Sequence, residues 1–340
     1  MRAYEIGDQS GLDTWKLVER PDPEPGRGQV AIRVHAVSLN FRDVLLASKG
    51  YGFPVHSPQA IAASDGAGEI IAIGEGVTRW EVGDRVAGIF VQNWFGGRQP
   101  DDAFDNMLSG SLDGMLAEIV VLDQQGVVAI PEHMSYREAS TLPVAGVTAW
   151  NALYGLKALQ PGQTVLTLGT GGVSIFAAQI ALAAGARVIT TSSKEAKLVQ
   201  VRKLGAIETI NTSTTPQWSK EVLRLTGGMG ADYVVETGAP GSLVQSIASA
   251  RAGGIVSLLG VPPGETINAL SLLQTSAIVR GMMVGSREMF EALNAFAGIA
   301  RLHPIIDSVF GFEQATEALK ALAQGNHLGK IVVDVSGRQA

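Results

Sequence analysis

Residues 164–185, TVLTLGTGGVSIFAAQIALAAG, most constrain what this 340-residue chain can fold into. A short apolar run (Val165, Leu166, Leu168) leads into glycines at 169, 171 and 172, and an alanine-rich pattern then ends at Gly185. This reads as a buried parallel strand, a tight glycine turn and a helix with a glycine C-cap. Such a turn lets a pyrophosphate approach bare backbone N–H groups where the helix dipole favours negative charge. The pattern is G-x-G-x-x-S, with Ser174 where a third glycine often stands. Taken alone it is equally an ordinary strand-to-helix turn, so its meaning depends on what surrounds it.

The length, with 46% hydrophobic and 17% charged residues, allows a large core and makes two domains the natural expectation. No apolar run is long enough to span a bilayer, and MRAYEIGDQS lacks the basic-then-apolar shape of a signal peptide. The formal net charge of −6 argues against a nucleic-acid partner. Cysteine is absent, which excludes disulfides, thiol catalysis and cysteine-ligated zinc; a cytoplasmic location is expected.

Two textures divide the chain. Helix-period segments are nearly missing before residue 135. Residues 29–38 alternate as a half-buried strand, LNFRDVLLASKGYGFP reads as a turn into a short helix carrying Asp43, and Gly83-Asp84 marks a turn between strands. Residues 90–114 form a long aromatic and acidic loop. From Tyr136 a helical stretch interrupted near Pro143 leads to the glycine turn, after which strands and helices alternate with six strand candidates. That is the signature of a doubly wound parallel (Rossmann) sheet. The last strand, KIVVDV, follows no crossover and is expected to return to the first domain. The expected division is 1–126 with 300–340, and 127–299.

In a dinucleotide site an acidic residue ending the second strand normally holds the ribose 2′-hydroxyl. Here that strand ends ITTSSK, with no acid before Glu195. Ser192, Ser193, Lys194 and Lys197 offer hydroxyls and ammonium groups suited to a 2′-phosphate, which favours NADP(H) over NAD. Ser192-x-x-Glu195 is also readable as a capping box for the next helix.

LNFRD at 39–43, DGAGEIIAIGEGV at 65–77, VGDRV at 82–86, LPVAGVTAW at 142–150, GTGGVS at 169–174 and GNHLGKIV at 325–332 together resemble the medium-chain dehydrogenase/reductase superfamily. The first, with Tyr51 following, is most similar to its quinone oxidoreductase branch. The resemblance implies a GroES-like β-rich catalytic domain beside the Rossmann domain, with the active site in the cleft between them. Zinc members of the superfamily hold catalytic zinc with a Cys, a His in a Gly-His-Glu triplet, and a later Cys or acid. The matching positions read Asn40, Ser64 and Val144, a poor donor set, and no cysteines stand in the lobe that carries structural zinc. His35 and His56 read as structural histidines rather than ligands. The chain therefore reads as zinc-free.

Without a Lewis acid, carbonyl polarisation falls to hydrogen bonds and fixed charge. The candidates are Asn40, Arg42, Ser64 and Tyr51. Arg42 stands where zinc enzymes keep a Ser or Thr proton relay, and is otherwise an ion-pair partner of Asp43 or Asp65. Asn40 matches an asparagine that contacts nicotinamide or substrate in quinone oxidoreductases, and is otherwise a turn former. Leu45 replaces a tyrosine typical of that branch.

The turn residues Gly169, Thr170, Gly171, Gly172 and Val173 are expected at the pyrophosphate. Thr148 is expected near the nicotinamide, and Thr237-Gly238 and Leu259-Gly260 where dinucleotides cross strand ends. Val284-Gly285-Ser286 follows the sixth strand, Lys330 closes the tail motif, and Thr212 stands where the branch often has a tyrosine beside the 2′-phosphate. Trp94, Phe95 and Phe104 read as a substrate lid or as cover for a domain edge.

The activity implied is zinc-independent, NADPH-dependent hydride transfer to a quinone, an α,β-unsaturated carbonyl or a related electrophile. Alternatives are alcohol or ketone chemistry without zinc, and a non-enzymatic NADPH-binding sensor or crystallin-like protein. The apolar sixth strand at a sheet edge makes a homodimer the expectation.

Overall fold

The computed structural model describes residues 1–49, 55–206, 208–260, 262 and 264–337. Cα packing divides the chain into two compact units, 1–147 with 284–340, and 148–283. The helix Arg287–Ala300 packs on the strand Val127–Ala129 in the first unit.

The second unit is a six-stranded parallel sheet in the order Glu208–Asn211, Arg187–Ser192, Thr164–Leu168, Ala231–Glu236, Ala250–Leu258, Ile278–Gly281. It is the doubly wound sheet that the strand–helix alternation implied. Thr164–Leu168 is buried along its whole length, as a strand covered on both faces must be. Leu166, Ile189, Val234 and Val256 share one core with Trp218 and Val222 of the helix Trp218–Leu225. Each such side chain contributes about 1.5–3 kcal/mol by leaving water. From Thr164–Leu168 the strand order runs outward in both directions, so the switch point that α/β sheets use for ligands lies at the C-terminal end of this strand.

The first unit is built on a seven-stranded sheet. Ile306–Gly311, Lys330–Asp334, Gln29–Ser38, Asp65–Ile73, Arg85–Gly88 and Val127–Ala129 follow one another, and Ile119–Asp123 also pairs with Gln29–Ser38. The tail strand does join this sheet, antiparallel to Gln29–Ser38. The register is consequential. Ser38 lies opposite both Asp65 and Val332, so Asn40, Ser64 and Lys330 reach the same end of the sheet.

The stretch after Tyr136 is more broken than its pattern suggests. A short helix, Tyr136–Ala139, gives way to a π-helical turn, Leu142–Gly146, before the helix Val147–Tyr154. Pro143 has no N–H to donate, so the backbone re-registers around it. No helix among the described residues is long and apolar enough to cross a membrane.

Candidate functional site

The first unit holds a buried charged cluster where its strand ends meet. Asn40 precedes the helix Phe41–Ala47; its N–H donates to Asp43 Oδ2 (2.8 Å) and its carbonyl accepts from the Asp43 N–H (2.8 Å). The Lys330 ammonium donates to Asn40 Oδ1 and to the Leu39 carbonyl, both at 2.6 Å. Ser64 Oγ donates to Asp65 Oδ1 (2.8 Å), and the Val144 N–H donates to Asp65 Oδ2 (3.0 Å). Asn40 Nδ2 lies by Asp65 but makes no hydrogen bond of ordinary geometry. Asp43, Ser64 and Asp65 have no exposed surface, and Asn40, Arg42 and Lys330 retain 9% or less.

Such burial needs compensation, since an isolated charge here would be displaced towards its neutral form. Burial raises the Asp65 carboxyl, opposed chiefly by the Lys330 charge. Burial lowers the Lys330 ammonium, opposed by Asp65 and then Asp43. Asp43 is pushed up to about 6, again by burial, with Arg42 as the main opposing charge.

Arg42 faces Asp43 at 3.8 Å, donates to the carbonyls of Leu108 (3.3 Å) and Ser109 (2.8 Å), and lies over the Phe90 ring. It thus holds both ends of the 90–114 loop. Within that loop Trp94 is buried, with Nε1 donating to the Gly97 carbonyl, while Phe95 is partly exposed under the Arg287 guanidinium. Phe104 sits half-buried within the short 3₁₀ turn Ala103–Asn106. Tyr51 lies outside the described residues. His35 stacks on Tyr136, and His56 lies 3.9 Å from Asp105. Val284 and Gly285 are buried in this unit, and Ser286 caps the helix Arg287–Ala300 by accepting the Met289 N–H.

Residue patterns alone did not bring out Ala63. It is buried with φ +53°, and this left-handed backbone aims Ser64 at Asp65. A non-glycine residue held there costs about 1–3 kcal/mol, a strain that clusters at functional sites.

The second unit holds the glycine turn. Gly169 has φ +74°, and a Cβ added at Gly169 or Gly171 would meet nothing within 4 Å, so the turn is an open cradle ahead of the helix Gly172–Ala183. Thr170 is buried and Val173 half-buried. Ser174 Oγ and Thr237 Oγ1 both donate to the Leu168 carbonyl, at 2.5 and 3.1 Å. The serine in place of a third glycine therefore ties the helix to the strand end. Gly238, with φ +87°, would place a Cβ 2.7 Å from the Gly260 backbone, so the turns after the fourth and fifth strands touch through glycine. Beneath them Glu236 is fully buried, accepting from the Gly238 N–H and the Ser242 and Ser246 hydroxyls. Its role was invisible without the fold. Leu259 is half-buried beside Gly260, and Thr148 is buried.

The expected capping box at Ser192 is corrected. The helix Glu195–Lys203 is capped at Lys194; Ser192 Oγ accepts from the Lys194 N–H instead. Glu195 turns to Arg202 (2.9 Å) and Asn211 (3.0 Å), because a guanidinium and an amide hold a carboxylate better than one backbone N–H. Ser193 is exposed and Lys197 and Thr212 are half-buried, with the Thr212 N–H on the Ser192 carbonyl. The ends of Arg187–Ser192 and Glu208–Asn211 thus carry hydroxyls, and the nearest carboxylate is already paired.

The profile of the alcohol dehydrogenase GroES-like domain matches residues 26–132, and that of the zinc-binding dehydrogenases matches 172–298. A zinc-type alcohol dehydrogenase-like protein of Schizosaccharomyces pombe is 41% identical over 342 residues, covering 98% of this chain and 99% of that protein. A crystal structure described as an alcohol dehydrogenase of Sinorhizobium meliloti 1021 superposes with a TM-score of 0.91 at 38% identity, over 98% of this chain and 99% of that one. A quinone oxidoreductase of Pseudomonas syringae pv. tomato DC3000 superposes with a TM-score of 0.82 at 26% identity, over 98% and 99%.

The zinc named by the second profile does not fit the residues present. An amide, a hydroxyl already donated to Asp65 and a valine are not a zinc donor set, and among the described residues no group of three or more His, Asp or Glu could hold a metal. A nicotinamide dinucleotide does fit, since the open glycine cradle stands at the sheet's switch point. Sheet topology, tail strand, glycine cradle and relatives agree that the chain is an oxidoreductase belonging to the medium-chain dehydrogenase/reductase superfamily.

Proposed function

We propose that this protein is a zinc-independent, NADPH-dependent reductase of quinones, α,β-unsaturated carbonyls or related electrophiles. The observation that carries the reading is the fate of the three metal-ligand positions. Asn40, Ser64 and the Val144 N–H gather around the Asp65–Lys330 charge pair, so hydrogen bonds and fixed charge stand where a Lewis acid would act.

NADPH bound on the 169–173 turn would supply the hydride and its electron pair to the electrophilic carbon, leaving NADP⁺, with solvent supplying the proton. The chain's own part is to bind and orient. The N-terminal turn of Gly172–Ala183 holds the pyrophosphate, with Thr237, Gly238, Leu259 and Gly260 lining the strand ends. Ser192, Ser193, Lys197 and Thr212 take the 2′-phosphate. Thr148, Val284, Gly285, Ser286 and Lys330 complete the proposed cofactor set. Asn40, Arg42 and Tyr51 polarise the accepting oxygen, and Ser64, whose hydroxyl proton is on Asp65, acts behind them by holding that carboxylate.

NADPH is favoured over NADH by the absence of an acid at the end of Arg187–Ser192 and the prior pairing of Glu195. Steady-state assays with 9,10-phenanthrenequinone, an enone and both cofactors test the reading. A lower KM for NADPH than for NADH, with turnover insensitive to chelators, is expected; a lower KM for NADH would overturn the cofactor choice. The names of the S. pombe and S. meliloti relatives favour a second reading, reversible alcohol or ketone chemistry on the same fold. Chelator-insensitive oxidation of simple alcohols with no quinone turnover would select it. Cofactor binding without turnover on any substrate would select a sensor or crystallin-like role.

The small-molecule reading carries no nucleic-acid or membrane partner and a cytoplasmic setting. The strand Ile278–Gly281 ends the parallel sheet with Ile278 46% exposed, which supports pairing with a second copy as a homodimer. Light scattering at micromolar concentration reads that directly.

A further inference from the structure

Glu236 ends the strand Ala231–Glu236 with no exposed surface, and its carboxylate is held by one N–H and two hydroxyls. The Gly238 N–H donates to Oε1 at 2.7 Å and the Ser246 hydroxyl to Oε2 at 2.5 Å. Ser242 shares its one proton between Glu236 Oε1 (2.8 Å) and the Ala239 carbonyl (2.6 Å). Ser242 and Ser246 stand four apart on the helix Ser242–Ser249, so one face of that helix grips the acid. Taking a carboxylate out of water is costly, and an apolar side chain would fill the same place more cheaply. The acid is explained instead by what it holds, because a satisfied polar network fixes one geometry where packing alone allows several.

What it holds lies at the surface. The Glu236 carbonyl accepts the Leu259 N–H at 2.9 Å while the carboxylate holds Gly238, so one residue grips the turns after both the fourth and the fifth strands. Thr237 is exposed, and its Oγ1 donates to the Leu168 carbonyl at the foot of the glycine turn. Gly238, Leu259 and Gly260 are half-buried, and the two turns leave no room for a side chain between Gly238 and Gly260. Glu236 sits beneath all of these and has no surface of its own to offer a ligand.

We propose that Glu236 is a positioning residue for the dinucleotide: fixed by the helix Ser242–Ser249, its carboxylate holds the Gly238 N–H and so sets the turns 237–238 and 259–260 against the end of the glycine cradle. This rests on the reading of those turns as cofactor lining. The acid acts through the backbone it holds and touches no ligand itself.

Dissociation constants for NADPH, by fluorescence titration, are compared for the native protein, Glu236→Ala, Glu236→Gln and Ser249→Ala. Ser249 is buried on the same helix, but its hydroxyl donates to the Gln245 carbonyl and not to Glu236. Glu236→Ala should raise the constant roughly 10-fold or more, and Glu236→Gln, which keeps an oxygen for the Gly238 N–H, should return it to within about three-fold of native. Ser249→Ala should keep native affinity while melting at a lower temperature. Unchanged affinity in Glu236→Ala, or Glu236→Gln as weak as Glu236→Ala, would overturn the proposal. So would an equal loss in Ser249→Ala, because affinity would then follow general destabilisation. A native protein that binds neither NADPH nor NADH would instead overturn the reading of the turns, and the proposal with it.

A second readout needs no cofactor. Hydrogen exchange in the free protein, followed on peptides covering 237–242, should be about 10-fold faster or more in Glu236→Ala than in Ser249→Ala. Equal rates would refute the hold on the turn. If Glu236→Ala does not fold, Ser246→Ala takes one donor from the carboxylate and carries both measurements. Its dissociation constant should rise about two- to five-fold, and native affinity with native exchange would count against the proposal.

Discussion

Arg42 Nη2 donates to the Ser109 carbonyl at 2.8 Å, and Ser109 holds a left-handed backbone with φ +58°. The same guanidinium donates to the Leu108 carbonyl and covers the Phe90 ring. One side chain on the helix Phe41–Ala47 thereby ties Phe90 to Leu108 and Ser109 across the loop. Arg42 thus supplies loop closure as well as the positive charge assigned to it in the proposed chemistry.

Replacing Arg42 with alanine should therefore loosen residues 90–114. It leaves two buried carbonyls unpaired and Asp43 without its main opposing charge, a loss of roughly 3–5 kcal/mol. Limited proteolysis should cut the loop faster and kcat should fall. Full kcat in this variant would remove Arg42 from the chemistry and leave it only as the staple.

Cofactor choice should respond to a single charge. Ser193 is exposed beside the end of Arg187–Ser192, where NAD enzymes of this fold keep a carboxylate. Ser193→Asp should raise the KM for NADPH about 10-fold or more by repelling the 2′-phosphate, while KM for NADH holds or falls. Equal changes for both cofactors would place the phosphate elsewhere.

The two turns that meet at Gly238 should not tolerate a side chain. Gly238→Ala adds a Cβ 2.7 Å from the Gly260 backbone at a φ of +87°, whereas Gly241→Ala meets nothing within 4 Å at +73°. The first should cost about 2–4 kcal/mol and weaken NADPH binding; the second should cost only the left-handed backbone term of about 1 kcal/mol. Thermal melts with and without NADPH separate the two effects.

Asp43 gives the first unit a pH-dependent stability term. Burial raises its carboxyl to about 6, so the folded state holds a proton that the unfolded chain has lost above the ordinary carboxyl range. The stabilisation from that proton is full at the acid end and is lost as pH rises to 6, then stays constant. Asp43→Asn keeps an acceptor for the Asn40 N–H and removes the charge. Relative to the variant, the native protein should lose roughly 3 kcal/mol of stability between pH 4 and 6 and run parallel to it above. Parallel curves across the whole range would mean the carboxyl titrates normally.

The parts legible in the residues were those with a local code. Strand–helix alternation reports a parallel sheet because each element's burial repeats at its own period. A glycine turn reports a tight strand-to-helix turn because only glycine takes Gly169's φ without cost. The serine–glutamate pair at 192–195 was legible in two ways, and competing partners at Arg202 and Asn211 chose between them.

The sequence by itself thus determined the doubly wound sheet, the GroES-like partner unit, the glycine cradle and the residue types left at the metal positions. Only the tertiary structure decided what those residues do together. Lys330 meets Asn40 across 290 positions, Val144 meets Asp65 across 79, and Arg42 reaches Ser109 across 67. No local pattern encodes such pairings. They arise because burying a charge is tolerable only beside its complement, and which complement arrives is set by strand register, with Ser38 opposite both Asp65 and Val332.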